Sequence, residues 1–279
     1  MAATRKTKNS TAVSAGKAAD VERKKLTRGI ILLVSLLVLI GGAVGLLWWA
    51  KSRLFAGNPR FTLHEIEVQS TGYWAQNNVN RSQLIRKVGL KLGQDNLMAI
   101  DIAKLRKTLC SIPNVADARV TLELPNKLTI AIDERVPWAF LGKKDGDLVV
   151  DGEGVVLERR ECFGTHSHLP VILLPQRQML NAVPGKVMPG AAEPLKLLTA
   201  VRGSKDFTLK TIFIRDDKLN VILDYHYGKN TRSYTVNMSV GNYEELLAQV
   251  KLSIDNSLLR NENHTVVNVL YDGQTVLSK

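Results

Sequence analysis

The apolar residues divide the chain into a polar head, one unbroken apolar run and a long series of short periodic segments. From Gly29 to Ala50 (GIILLVSLLVLIGGAVGLLWWA) there is no charge, and Ser35 carries the single hydroxyl. Apolar on every face for about six helical turns, this run matches the ~30 Å hydrocarbon core of a bilayer. It predicts one transmembrane helix, Ile30 to Ala50 within residues 29–50. A cleavable signal peptide has a shorter apolar region of about 7–15 residues, so the run is read as a permanent anchor.

The periodicity then changes to that of a folded α+β unit, after a polar link at 51–60 that ends in the Asn58-Pro59 breaker. Residues 61–69 alternate as a strand, with Ile66 and Val68 on one face. A helix carrying Leu84, Ile85 and Val88 is capped by Asn80 or Ser82 and stopped by Gly89. A second helix spans Ile100 to Cys110, with Asp101 at its positive end and Pro113 beyond it. Two strands, 115–122 and 127–133, meet at a tight turn through Leu124-Pro125-Asn126. The order β-α-α-β-β places two helices on a three-stranded sheet within residues 61–136.

Residues 137–279 read as a mixed β-sheet unit with helices. Asp151-Gly152, between β-branched runs, predicts a two-residue hairpin turn. Further strands are expected at 169–174, 209–214, 219–225, 233–240 and 266–271. Helices are expected at 191–201 and 243–259. The chain finishes in VVNVLYDGQTVLSK, where Asp272-Gly273 is a turn signal.

Several of these segments resemble one family. Ile66-Glu-Val68, Gly93-Gln-Asp-Asn-Leu97, Ile112-Pro-Asn-Val115, Leu124-Pro-Asn-Lys-Leu-Thr-Ile130 and Glu134-Arg-Val-Pro-Trp-Ala139 look like the POTRA domain of the FtsQ/DivIB bacterial cell-division proteins. The basic head, single span and following β-rich unit match the same pattern. The resemblance implies a non-catalytic scaffold at the division septum. Its implied partners are FtsB and FtsL, with an indirect bearing on the septal synthases FtsW and FtsI, and with FtsK as a further candidate. It also implies that partners dock on the last strand of the second domain. Here that stretch is Val267, Asn268, Val269, Leu270, Tyr271, Asp272 and Gly273, with Tyr271 the leading candidate. Arg215, in a turn before a mid-domain strand, lies near a basic partner-contacting position of the family. Val120 lies on the strand implied in recruitment.

Charge refines the topology. The net charge is +12, and residues 1–28 hold eight Lys/Arg against Asp20 and Glu22, half of the excess. Lys17, Arg23, Lys24, Lys25 and Arg28 precede the span, while Lys51, Arg53 and Arg60 follow it. This asymmetry puts the N-terminus in the cytoplasm and the rest outside it, and the resemblance implies that the membrane is the inner membrane of a bacterium. Trp48 and Trp49 suit the interfacial aromatic belt. A head with almost no large apolar residues predicts disorder, and attraction to anionic membrane lipid. No aromatic residue interleaves with its basic residues, so it does not read as a nucleic-acid arm.

Candidate chemistry is sparse. His166 and His168 form an i, i+2 pair without the further ligands of a closed zinc site. Asp133-Glu134 and Glu244-Glu245 are sequence neighbours whose side chains diverge. No phosphate loop, nucleophile elbow or HExxH occurs, so no cofactor or metal is expected. Cys110 falls in an apolar helical pattern and is expected as a buried free thiol, with a Cys110–Cys162 bridge left open. Two other readings stand beside the scaffold. One is a membrane-anchored cell-wall enzyme. The other is a POTRA-type chaperone, which a single such unit and the missing barrel pattern disfavour.

Overall fold

The computed structural model describes residues 33–49, 58–215, 218–269 and 275–278. Residues 33–49 form an exposed helix, α1. The two ends of the expected span, Ile30 and Ala50, lie outside the described residues, as do the head and most of the link. Among the described residues no helix is long and apolar enough to cross a membrane.

The first unit contains β1 (Glu65–Gln69), α2 (Asn78–Val88), α3 (Ile102–Cys110), β2 (Val115–Glu123) and β3 (Lys127–Glu134). The sheet order is β1-β3-β2, with β1 parallel and β2 antiparallel to the central β3. Both helices bury their apolar stripes on one face of this sheet, with Trp74, Leu84, Leu109, Leu128 and Ile130 at the centre. Asn77, rather than Asn80 or Ser82, caps α2, its side chain accepting from the Asn80 amide. Asn80 is instead buried in the first turn, where it donates to the Tyr73 carbonyl at 2.7 Å. Gly89 ends the helix at φ 77°, a left-handed conformation costly for any side chain. Asp101 caps α3 as expected.

The second unit is a nine-stranded mixed sheet. Its strands are β4 (Pro137–Leu141), β5 (Leu148–Asp151), β6 (Val156–Glu158), β7 (Val171–Leu173), β8 (Phe207–Arg215), β9 (Lys218–Tyr227), β10 (Asn230–Ser239), β11 (Val266–Val269) and β12 (Thr275–Ser278). Their order is β12-β11-β10-β9-β8-β7-β4-β5-β6. The short α4 (Gln176–Met179) lies in a connection, while α5 (Ala192–Arg202) and α6 (Tyr243–Leu259) supply apolar residues to the main core. Val221, Leu223, Val236 and Val267 face that core, and the opposite faces of β8 to β12 stay open.

Local corrections have simple causes. The Asp151-Gly152 pair makes no two-residue turn. β5 stops at Asp151, β6 starts at Val156, and it is Gly154 that takes positive φ, at 83°. The buried Asp151 carboxylate holds this longer loop by accepting from the Glu153 and Val155 amides at 2.9 and 2.8 Å. β4 breaks no local rule but begins at a proline, which masked it in the sequence pattern. Cys110 is exposed, because the stripe that α3 buries runs through Leu105 and Leu109. Both cysteines are free. Burial pushes the Cys162 thiol up to about 12, with Glu134 and Glu161 adding to the effect.

The units meet through a buried asparagine. Asn114, 2% exposed, accepts from the Trp74 indole N–H at 3.0 Å and donates to the Glu161 carbonyl at 2.7 Å. Its own carbonyl accepts from the Arg135 amide at 2.9 Å. Around it Lys87 pairs with Glu161, and Arg135 pairs with Asp151 and Glu153. The Glu134 carboxylate takes bonds from Ser70 and from the Tyr73 and Trp74 amides, which fixes the turn that presents the indole.

Two outcomes follow. Asn114→Ala leaves an indole N–H and a carbonyl unpaired. Denaturant titration read by tryptophan fluorescence should show a loss of about 2 kcal/mol. In native protein at pH 8, a thiol reagent should modify Cys110 within minutes, while Cys162 should react only after unfolding, since the thiolate is the reactive species.

Candidate partner-binding site

The terminal hairpin sets the geometry of the expected docking strand. β11 pairs in parallel with β10 through Thr235–Val266, Val236–Val267 and Asn237–Asn268. On its other side it pairs with β12, Val267 opposite Leu277 and Asn268 opposite Val276. Val267, Asn268 and Val269 therefore have neighbours on both sides, and the outermost strand of the sheet is β12. Val267 and Val269 are buried, whereas Val276 is half exposed. The sequence leaves open whether Thr275 to Leu277 folds back on the preceding strand, and the structure pairs Thr275–Ser278 with β11. Leu270, Tyr271, Asp272 and Gly273 lie outside the described residues.

The face beside this edge is open. One row across it reads Phe213, Asn220, Asn237, Asn268, Val276, from β8 to β12. The three asparagines bond in series: Asn220 donates to Asn237 at 2.5 Å, and Asn237 donates to Asn268 at 2.7 Å. Amide rows of this kind satisfy polar groups on a half-exposed surface and pin the register between strands. The next row contains Thr211, Ile222, Thr235, Val266 and Ser278. Toward the other end of the face Asp224 accepts from Lys210 at 2.8 Å and from Ser233. Burial pulls the Asp224 carboxyl up, but these two donors outweigh it and hold it below the usual carboxylate range.

Arg215 is the last residue of β8 rather than part of a turn, and it pairs with Lys218 of β9. Lys218 in turn faces Ser239 of β10. Since β10 runs parallel to β11, this basic end of the sheet is also the end at which β11 finishes and β12 begins. The structure thus brings Arg215 to the same end as the C-terminal hairpin, about three strand spacings away, or roughly 14 Å.

Val120 belongs to a different edge. It sits in β2 opposite Ile130, its side chain half buried against the first core. Arg106 Nε donates to the Ala118 carbonyl at 2.9 Å, so the Ala118 main chain points away from β3. Alternation then turns the Val120 main chain outward as well. Its side chain is core and its backbone is edge. The same arginine blunts the edge two residues earlier, and pairs with Asp117 at 2.6 Å.

Catalytic and metal candidates do not converge. Among the described residues no group of three or more His, Cys, Asp and Glu is placed to hold a metal. Glu134 is committed to capping, and Glu244 and Glu245 sit exposed in the first turn of α6. His166 is partly buried, and desolvation pulls its pKa down.

A family model described as POTRA domain, FtsQ-type, matches residues 63–135. That segment is the β1-to-β3 unit. The chain is 30% identical over 135 residues to the cell division protein FtsQ of Novosphingobium aromaticivorans, covering 43% of this chain and 40% of that protein. It is 35% identical over 125 residues to FtsQ of Mycobacteroides abscessus, covering 45% and 36%. A longer match, 21% identical over 227 residues, to DivIB of Clostridium acetobutylicum covers 79% of this chain and 84% of that protein.

The first unit is similar to the POTRA domain of the FtsQ/DivIB cell-division proteins.

The matched stretch spans less than half the length of the first two of these FtsQ/DivIB proteins. Sequence reasoning missed two features of the site. The asparagine row is invisible without strand register, since Asn220, Asn237 and Asn268 are far apart in the chain. β12 carried the signal of an apolar run after Asp-Gly, which supported a hairpin but did not decide for one. Asn237→Ala removes both bonds of the row. It should cost roughly 1–2 kcal/mol, and hydrogen exchange should show faster opening of the β11 amides than of β8.

Proposed function

We propose that this chain is a non-catalytic, single-span scaffold of the bacterial division machinery that holds partners by strand addition at the outer edge of its second sheet. The observation that carries this reading is β12: a terminal strand, open on its outer side among the described residues, next to an uncovered face. An incoming strand gains main-chain hydrogen bonds from such an edge, and its alternate side chains reach the flanking surface. The half-exposed Val276, with Phe213 and Ile222 on the same face, offers apolar contact. Arg215 and Lys218 offer positive charge at one end. A partner strand with apolar residues at alternate positions and an acidic flank fits this surface.

In this reading the partners are FtsB and FtsL, and through them the septal synthases FtsW and FtsI. Tyr271, in the stretch 270–274 that joins β11 to β12 in the sequence, contributes to the same partner surface. The outward main chain at Val120 serves a second partner, with FtsK as the candidate. The apolar run at 29–50 anchors the chain in the inner membrane with its N-terminus in the cytoplasm, so that both sheets stand outside at the septum. The names of the relatives support the division role.

Removing residues 275–279 exposes β11 in place of β12 and takes away the docking edge. Co-purification of FtsB with the full-length chain should fall at least about tenfold, equivalent to 1.4 kcal/mol. Tyr271→Ala should weaken the same capture while leaving the unfolding midpoint in place. Full capture by the truncated chain, with its fold intact by circular dichroism, would rule out strand addition at this edge.

A further inference from the structure

The end of the first unit where the chain arrives from the apolar segment is built unlike the rest of its surface. Residues 58–64 are pinned there on two sides. On one, Asn96 donates to the Asn58 carbonyl at 3.1 Å, Leu63 donates to Asp95 at 2.8 Å, and Gly93 donates to Leu63 at 2.8 Å. On the other, the His64 amide donates to the Asn126 carbonyl at 2.9 Å. The point of entry therefore sits between two turns, 91–95 and 124–126, and Leu63 is fully buried beneath them.

Each turn holds up an apolar side chain with nothing over it. Leu92 is 50% exposed and Leu124 is 64% exposed. Because the two turns flank one segment, both leucines lie at the same end of the unit. Arg60 and Lys91 are exposed beside them. Glu65, Glu67 and Glu123 are drawn to Lys127 on the outer sheet face, and Asp95 accepts from the Lys91 amide.

We propose that this end is a lipid-contact surface, in which Leu92 and Leu124 enter the interfacial layer of the bilayer while Arg60 and Lys91 face anionic headgroups. The inference rests on the reading of residues 29–50 as a membrane anchor. The occupant follows from chain length. Only residues 50–57 separate α1 from the pinned Asn58, and at 3.3–3.6 Å per residue they hold the two turns within roughly 30 Å of the membrane. A paired apolar tip with a basic rim, tethered that close, partitions into the boundary between headgroups and acyl chains. Contact at two points besides the tether fixes the tilt of the unit over the membrane. That in turn sets the height at which β2 and the second sheet are presented.

The test uses the full-length chain in nanodiscs of phosphatidylethanolamine and phosphatidylglycerol. Cys110→Ser removes the exposed thiol, and the buried Cys162 stays unreactive. A bimane label goes in turn on Leu92→Cys, Leu124→Cys and, as the distant control, Ala116→Cys at the far end of β2. Lipids carrying a doxyl quencher near the headgroup should quench the labels at 92 and 124 at least about twofold more than the label at 116. Replacing phosphatidylglycerol by phosphatidylcholine should reduce that difference. Equal quenching at all three positions, in chains that co-elute with the discs, overturns the lipid-contact surface alone. Failure of the chain to co-elute with discs overturns both the anchor and this surface.

Discussion

Asn114 is the residue on which the arrangement of the two sheets depends. Nearly without solvent contact, it joins an indole from the first unit to a backbone carbonyl of the second. A buried amide in this position must find every partner, because an unmet donor or acceptor costs more than a made bond returns. The surrounding charges act with it. The Lys87–Glu161 and Arg135–Asp151 pairs bracket the asparagine, and Lys87 also lies 5.2 Å from the Trp74 ring centroid. Few relative orientations of the two sheets satisfy all of these groups together.

That constraint bears on the proposed scaffold role. Each sheet presents an edge strand, β2 in the first unit and β12 in the second, and each presents an uncovered polar face. With the junction set by directional hydrogen bonds, the two edges stand at a defined separation. The edges are also managed differently. Arg106 closes part of β2 by bonding an outward carbonyl, whereas β12 is short and carries an exposed valine. Short or partly capped edges limit unwanted pairing while leaving a strand-sized slot for the right partner.

Much of the first unit is legible in the sequence. Its helices carry clean 3.6-residue stripes, Gly89 and Asp101 mark their ends, and the strands at 115–122 and 127–133 appear within a residue of their true limits. The second unit is less legible. β4, at Pro137, and the four-residue β12 carry too little local pattern, and Asp151-Gly152 is diverted from its expected turn by the carboxylate that holds the longer loop. Of the docking residues, the position of Val267 to Val269 as a strand was readable, but its place one strand in from the edge was not.

By itself the sequence determined what depends on near neighbours along the chain: an apolar run of membrane length, the order β-α-α-β-β, the helix stops and the family resemblance. These follow from periodicity and from residues that restrict their own backbone. Only the tertiary structure decided which strand is outermost, that Asn220, Asn237 and Asn268 form one row, that the Val120 side chain faces the core while its backbone faces out, and that Asn114 joins the units. Each of these rests on pairing between separate segments, up to 47 residues apart for Asn114 and Glu161. Pairing of that kind is chosen by burial and hydrogen-bond satisfaction over the whole fold, and no local stretch of sequence contains it.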